Sequence, residues 1–395
     1  MLKLIINDAT NRIRWIQILV CVCFLLGISM SFPLWAGERI FPHIPIFQYF
    51  MFGESIQWLI TSVLGLILII NIIFLNKWWT RVLLFMIIFA VFCDQMRLQP
   101  WVYIYFLLIF PLSLLTLKSN EVNNIKHSKY ILNYFLILLI GIYVWSGLNK
   151  FTPSFIDIVY PLMLKSLFKL NDGHYLLAVR EWGYLFAGLE VLIGIGLIHS
   201  KTRNIAVILA ILMHLQIIIW VIVGNPNYTI LPWNICMIGI VYLSSWNNEQ
   251  ILQLNPSNST LLKICNFGLI LLVWIMPSFN LKNKWDAYLS FNLYTERISH
   301  MYVGLRQKAL IEIHPSLKEY FVAENIIDDG KVIDVEKWAF DELKVPVYPA
   351  LRVHKAIGRY FCKPNIDSDQ IMLVTYRRPF IDGNYEILSC KDCRK

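Results

Sequence analysis

The chain has 395 residues, of which 57% are hydrophobic and only 15% charged, with a net charge of +9 and a mean hydropathy of +0.56. A water-soluble domain usually carries about 25% charged residues, so this composition excludes an ordinary soluble enzyme and points to a membrane protein. The basic excess lies beside apolar runs, where it reads as a topology signal, and no nucleic-acid partner is expected.

Crossing about 30 Å of hydrocarbon takes near 20 apolar residues. Runs of that kind are Trp15–Ala36, Ile56–Leu75, Val82–Cys93, Trp101–Leu117, Tyr130–Leu148, Tyr184–His199, Asn204–Val223, Leu231–Trp246 and Leu261–Phe279. The first is too long for a secretory signal and has no small-residue cleavage site, so it reads as an uncleaved span. The third is short unless it continues through Asp94 to Leu98. The 14 Trp and 19 Tyr suit aromatic belts at the headgroups. The predicted fold is an all-α polytopic membrane bundle of about nine spans over residues 1–280. A small α+β domain follows over 281–395.

Basic short loops set the orientation. Lys3, Arg12 and Arg14 precede the first span, and Lys77 and Arg81 join the second to the third. Lys118, Lys126 and Lys129, and then Lys201 and Arg203, occupy the next alternate connections, whereas Gly224–Ile230 has no basic residue. The N-terminus is expected in the cytoplasm and the C-terminus outside. The connection 150–180 departs from the rule with Lys150, Lys165, Lys169 and Arg180. Within it, Ser154–Leu170 places its polar residues on a limited arc, as either an interfacial amphipathic helix or a surface loop.

The stretch Asp94-Gln-Met-Arg-Leu-Gln-Pro-Trp101 sets Asp94, Gln95, Arg97 and Gln99 between two apolar runs. It reads either as an interfacial loop or as the lining of a polar cavity, since an ionisable group at membrane depth costs roughly 2.5–3.5 kcal/mol. Arg97 is expected to pair with Asp94 or another carboxylate, while Arg39 reads as an ordinary loop residue. Lys150 ends the fifth run. Glu190 lies about 9 Å inside the sixth and His214 about 14 Å inside the seventh, at 1.5 Å per residue. With Pro232-Trp233-Asn234 these features share the outer half of the bilayer. Lys150 also reads as a snorkelling side chain, His214 as a satisfied core histidine, and Glu190 as a structural hydrogen-bonding group.

Beyond Asn280, charge becomes frequent. Ala309–His314 alternates like a strand. Asp329-Gly330 sits between Ile326–Ile327 and Lys331–Val335, and Asp382-Gly383 between Ile371–Tyr376 and Tyr385–Leu388, as in hairpins. Val353, Ile357 and Phe361 give Ala350–Phe361 one helical stripe. Cys390 and Cys393 form a Cys-x-x-Cys pair that reads as a redox couple, half a zinc site, or a disulfide source, with Cys362 as another partner. No metal is predicted.

Taken in order, residues 94–101, Trp-Ser-Gly-Leu-x-Lys-Phe (145–151), the Glu190 segment, His214 and Pro-Trp-Asn (232–234) resemble the HTTM domain. That membrane family includes vitamin K-dependent gamma-carboxylase. The arrangement of a lysine and then a glutamate on adjacent spans is also similar to the DoxX and MauE membrane proteins. The resemblance covers roughly residues 10–280 and implies an outward-opening pocket that admits a reduced quinone. It implies a catalytic set of Lys150, Glu190 and His214, with Lys150 as proton acceptor, in a pocket lined by Asp94, Gln95, Arg97, Gln99, Trp101 and Asn234. The expected activity is that of a quinone-linked carboxylase or oxidoreductase at the outer face. The alternative is a non-enzymatic membrane partner or anchor for an extracytoplasmic redox protein. Membrane lipid and an extracytoplasmic protein are the partners expected.

Overall fold

In an apolar solvent each backbone amide must be satisfied within its own segment, so the apolar runs fold as helices. The computed structural model describes residues 8–114, 121–169, 178–224, 227–249, 252, 260–324, 326–364, 366–377 and 385–394. Among these, six helices are long and apolar enough to cross a membrane: Ala9–Met30, Glu54–Ile73, His127–Asn149, Ser200–Gly224, Tyr228–Ser245 and Leu262–Asn280. Pro100–Leu112 and Trp182–Ile198 are apolar but shorter, and Lys77–Cys93 has 17 residues. The chain is a polytopic helical membrane protein by this measure, and helix length alone supports six crossings where nine were expected.

Two boundaries have clear local causes. The first helix stops at Met30, and Pro33 opens a separate turn, Phe32–Trp35. The helix Lys77–Cys93 stops because Asp94 is extended and caps the 3-10 turn Gln95–Arg97, accepting a hydrogen bond from the Met96 amide at 3.0 Å. The segment 154–170 begins as a π-helix, Phe155–Val159, and runs on as the α-helix Tyr160–Phe168.

The described residues divide into two compact units. The first comprises Met1–Met30, Ser62–Ile88 and Pro100–Thr295; the second comprises Ser31–Thr61, Phe89–Gln99 and Glu296–Lys395. The segments Ser31–Thr61 and Phe89–Gln99 thus group with the C-terminal stretch that starts at Glu296.

In the first unit the helices Glu121–Asn149 and Trp182–Ile198 pack through reciprocal glycines. A Cβ on Gly147 would fall 2.8 Å from the Val191 nitrogen and 2.9 Å from the Ala187 oxygen; one on Gly194 would fall 3.1 Å from the Ile140 oxygen. Small residues at these positions bring two backbones together without the hydrophobic effect that would drive them in water.

The second unit is built on an antiparallel five-stranded sheet ordered β2-β3-β1-β4-β5 among the described residues. The strands are β1 Ser299–Arg306, β2 Phe321–Val322, β3 Gly330–Asp334, β4 Ile371–Arg377 and β5 Tyr385–Leu388. Two expectations need correction. Gln307–Glu312 is a helix with only Ala309 buried, so the alternation at 309–314 did not mark a strand. The strand lies just before it as central β1, buried over six consecutive residues and thus without a two-residue period. The hairpin turn at Asp329, with φ of 52°, joins β3 to Phe321–Val322 and not to Ile326–Ile327. The helix Leu351–Phe361 and the pairing of β4 with β5 agree with the sequence reading; Asp382-Gly383 lies outside the described residues. Cys362 is disulfide-bonded to Cys390, leaving Cys393 as a buried thiol that burial pushes above its ordinary pKa.

Two buried histidines give this unit a pH optimum. Burial opposes charge on His300, but Glu296 at 3.3 Å and Glu336 at 3.6 Å outweigh it and raise the imidazole to about 9. Burial, reinforced by the charge of His300, lowers His354 to about 3. The raised His300 stabilises the fold fully below its unfolded value near 6.5, and this is lost as pH rises through 9. The depressed His354 stabilises it above 6.5, and this is lost as pH falls towards 3. At about 1.36 kcal/mol per pH unit, the upper bounds are about 3 kcal/mol for His300 and about 5 kcal/mol for His354. Pulse proteolysis of the full chain within 296–395 is therefore expected to show maximal resistance near pH 6.5. His300→Gln should flatten the alkaline side and His354→Leu the acid side; a flat wild-type profile would contradict both assignments.

Candidate functional site

On the helix Glu121–Asn149, Tyr143, Ser146 and the adjoining Lys150 fall at i, i+3 and i+7, one face of the helical path. That face meets Glu190 of Trp182–Ile198 and His214 of Ser200–Gly224, with Asn234 of Leu231–Ser245 behind. Lys150 Nζ donates to Glu190 Oε2 at 2.6 Å, to Ser146 Oγ at 2.8 Å and to the Ser146 carbonyl at 3.3 Å. All three ammonium hydrogens are thereby matched to acceptors. Lys150 and Glu190 are each 6% exposed. An ion pair this dry is retained only when its remaining donors are satisfied, as they are here.

His214 is fixed from both sides. The Asn234 amide nitrogen donates to the Ile230 carbonyl at 2.9 Å, which turns its Oδ1 towards His214 Nδ1 at 2.8 Å. Because Oδ1 only accepts, Nδ1 carries the hydrogen; in the neutral ring Nε2 then accepts from the Tyr143 hydroxyl at 2.9 Å. The network assigns a tautomer and produces a directed chain, Tyr143 to His214 to Asn234. Pro232 has a simpler role, opening the helix Leu231–Ser245 within its first turn.

The cluster 94–99 is organised differently. Asp94 is fully buried and pairs with Arg39, with His43 Nδ1 at 3.4 Å, and its Oδ1 accepts from the Ile44 amide at 3.3 Å. Burial alone would raise its carboxyl, but Arg39, His43 and Arg97 reverse this and hold it well below the usual carboxylate range. Arg97 does not take Asp94 as its hydrogen-bond partner. It donates to the carbonyls of Leu34 at 3.3 Å, Trp35 at 2.7 Å and Ala90 at 3.2 Å, and to Gln57 Oε1 at 2.7 Å. These carbonyls lie in the last turns of two helices, and the Ala90 oxygen also accepts from the Asp94 amide at 3.2 Å. Gln95 Oε1 accepts from Arg352 at 2.8 Å, and Gln99 donates to the Pro346 carbonyl at 3.1 Å.

Lys150, Glu190, His214 and Asn234 thus come together within the first unit. Trp101 belongs to that unit as a core residue, packed edge-on against Phe24 at 5.9 Å. Asp94, Gln95, Arg97 and Gln99 form the framework of the second unit. Sequence reasoning missed Tyr143 and Ser146, although their spacing from Lys150 was readable. It also missed Arg39 and Gln57, whose roles depend on contacts more than 35 residues away. Among the described residues no group of three His, Cys, Asp or Glu side chains could hold a metal ion.

Arg39 is thus no ordinary loop residue. Removing one member of a buried ion pair costs about 3–5 kcal/mol. Arg39→Ala is expected to lower the thermal stability of the full protein as much as Arg97→Ala. Lys308→Ala, which breaks an exposed pair with Asp367, should leave it unchanged. A tolerated Arg39→Ala would show that Asp94 needs no counter-charge.

No protein-family model, no curated protein and no solved structure matches this chain.

Proposed function

We propose that this protein is a quinone-linked membrane enzyme whose proton-handling centre is Lys150, Glu190, Tyr143 and His214. The observation that carries the reading is the dry Lys150–Glu190 pair beside an oriented Tyr143–His214–Asn234 chain, drawn from four helices. A purely structural ion pair requires no neighbouring imidazole with an assigned acceptor nitrogen. The sequence resemblance to the HTTM domain points the same way. Nine crossings, a cytoplasmic N-terminus and an outward-facing tail belong to this proposal, with the three shorter apolar helices completing the count.

The residues fit a reduced quinone in two respects. Phe151, next to Lys150, stacks on Tyr184 with ring centroids 6.1 Å apart, and both are partly exposed, a surface on which a flat ring can lie. The lysine also has a route to basicity. At 2.6 Å Glu190 can take one ammonium proton, leaving a neutral amine and a carboxylic acid. The amine then accepts a hydroxyl proton from the substrate and returns to ammonium. Bound there, a reduced quinone would supply the oxidisable ring. Tyr143 and His214 hold a second hydrogen-bonded proton position in the same helix cluster.

The test uses the full protein in lipid nanodiscs with a reduced naphthoquinone bearing a prenyl tail, following its consumption under oxygen. The wild type should accelerate consumption and co-purify with quinone. Lys150→Arg keeps the charge but cannot act as a base, so the rate should fall by about 100-fold or more with melting temperature and bound quinone retained. Full activity in Lys150→Arg would move the base to His214. No bound quinone and no acceleration would overturn the enzyme reading in favour of the anchor.

A further inference from the structure

The second unit carries an apolar ledge that none of the preceding chemistry uses. Ile44–Gly53 has the sequence Ile-Pro-Ile-Phe-Gln-Tyr-Phe-Met-Phe-Gly, ten residues without a charge. A loop of this composition in water would bury its side chains. Here Tyr49 is 93% exposed, Met51 64% and Phe47 55%.

This exposure does not come from a loose loop. The backbone is pinned at its start: the Gln95 amide donates to the Ile44 carbonyl at 2.8 Å and the Ile46 amide to the Phe92 carbonyl at 3.0 Å. Phe50 packs edge-on against Phe92 at 5.5 Å and Phe89 at 6.0 Å. The inner rings hold the ledge, and the outer ones are held away from the protein.

We propose that Phe47–Phe52 is a membrane-dipping ledge whose partner is the headgroup-acyl boundary of the lipid bilayer. The helix Glu54–Ile73 starts directly after the ledge, and Ile56 and Leu59 in its first turns, within the same unit, are exposed. A water-facing segment seldom exposes so many large apolar side chains in so short a stretch, whereas a lipid-facing one does. Glu54 opens the helix and Trp58 follows one turn later, stacked edge-on against Phe32 at 5.1 Å. A charge and an amphipathic ring at that point suit headgroup depth. The absence of basic residues in 44–53 makes the interaction one of apolar area, indifferent to anionic lipid.

A nitroxide at Tyr49→Cys in the full protein, in phosphatidylcholine nanodiscs, tests this by power saturation. Ile311→Cys provides a water-facing reference, being 82% exposed. The free native cysteines among the described residues are buried, and labelled wild type gives the background. The label at 49 should favour oxygen over a water-soluble nickel chelate several-fold relative to 311, equally with and without phosphatidylglycerol. Nickel access at 49 equal to that at 311 would overturn the proposal. So would nickel protection accompanied by spin–spin broadening between copies, which would make the occupant a second chain. Because the readout is collision with the label, it is independent of any quinone chemistry.

Discussion

Arg97 is wholly buried in the second unit and ties together three of its segments. A guanidinium has five hydrogens in a fixed plane and cannot shed its charge, so it must find acceptors on every side. Arg97 finds them mainly in backbone carbonyls at the ends of Phe32–Trp35 and Lys77–Cys93. Each of those oxygens accepts a second hydrogen bond as well: Ala90 from the Asp94 amide at 3.2 Å, Trp35 from the Thr61 hydroxyl at 2.8 Å and Leu34 from Arg39 at 3.2 Å. The cation is thus satisfied by the second lone pairs of backbone oxygens that already hold one partner. Asp94 then balances the charge without occupying the hydrogen bonds, leaving its own oxygens for Arg39 and two backbone amides.

The same rule governs the membrane helices. Lys150 and Glu190 leave water together, with Ser146 accepting the hydrogens that a single carboxylate oxygen cannot. Gly147 and Gly194 let the two helices approach closely enough for the pair to meet. Neither the close approach nor the short contact is available to bulkier residues at those glycines. Helix packing and site chemistry are therefore one constraint in this part of the chain.

The helices and the polar members of the first-unit site were legible because hydropathy is local and because Lys, Glu and His are conspicuous in apolar runs. Tyr143 was less so, since a tyrosine in an aromatic-rich membrane protein carries no signal until its spacing from Lys150 is counted. The role of 94–99 was hidden for a different reason. Its residue types fit a cavity lining and a structural clamp equally well, and only the carbonyls of Leu34 and Trp35 and the side chain of Arg352 distinguish them. Central β1 was invisible because burial on both faces erases alternation, while the exposed helix after it mimicked a strand by chance.

Glu342 binds the amides of Ile40 and Phe41, and Trp338 donates to the same carboxylate at 2.7 Å while packing on Phe41. Those amides emerge from the ribosome some 300 residues before their acceptor. During synthesis the segment after the first span must therefore wait, its donors unmatched, while most of the remaining chain is made and inserted. That part of the second unit can close only once Glu342 has been made.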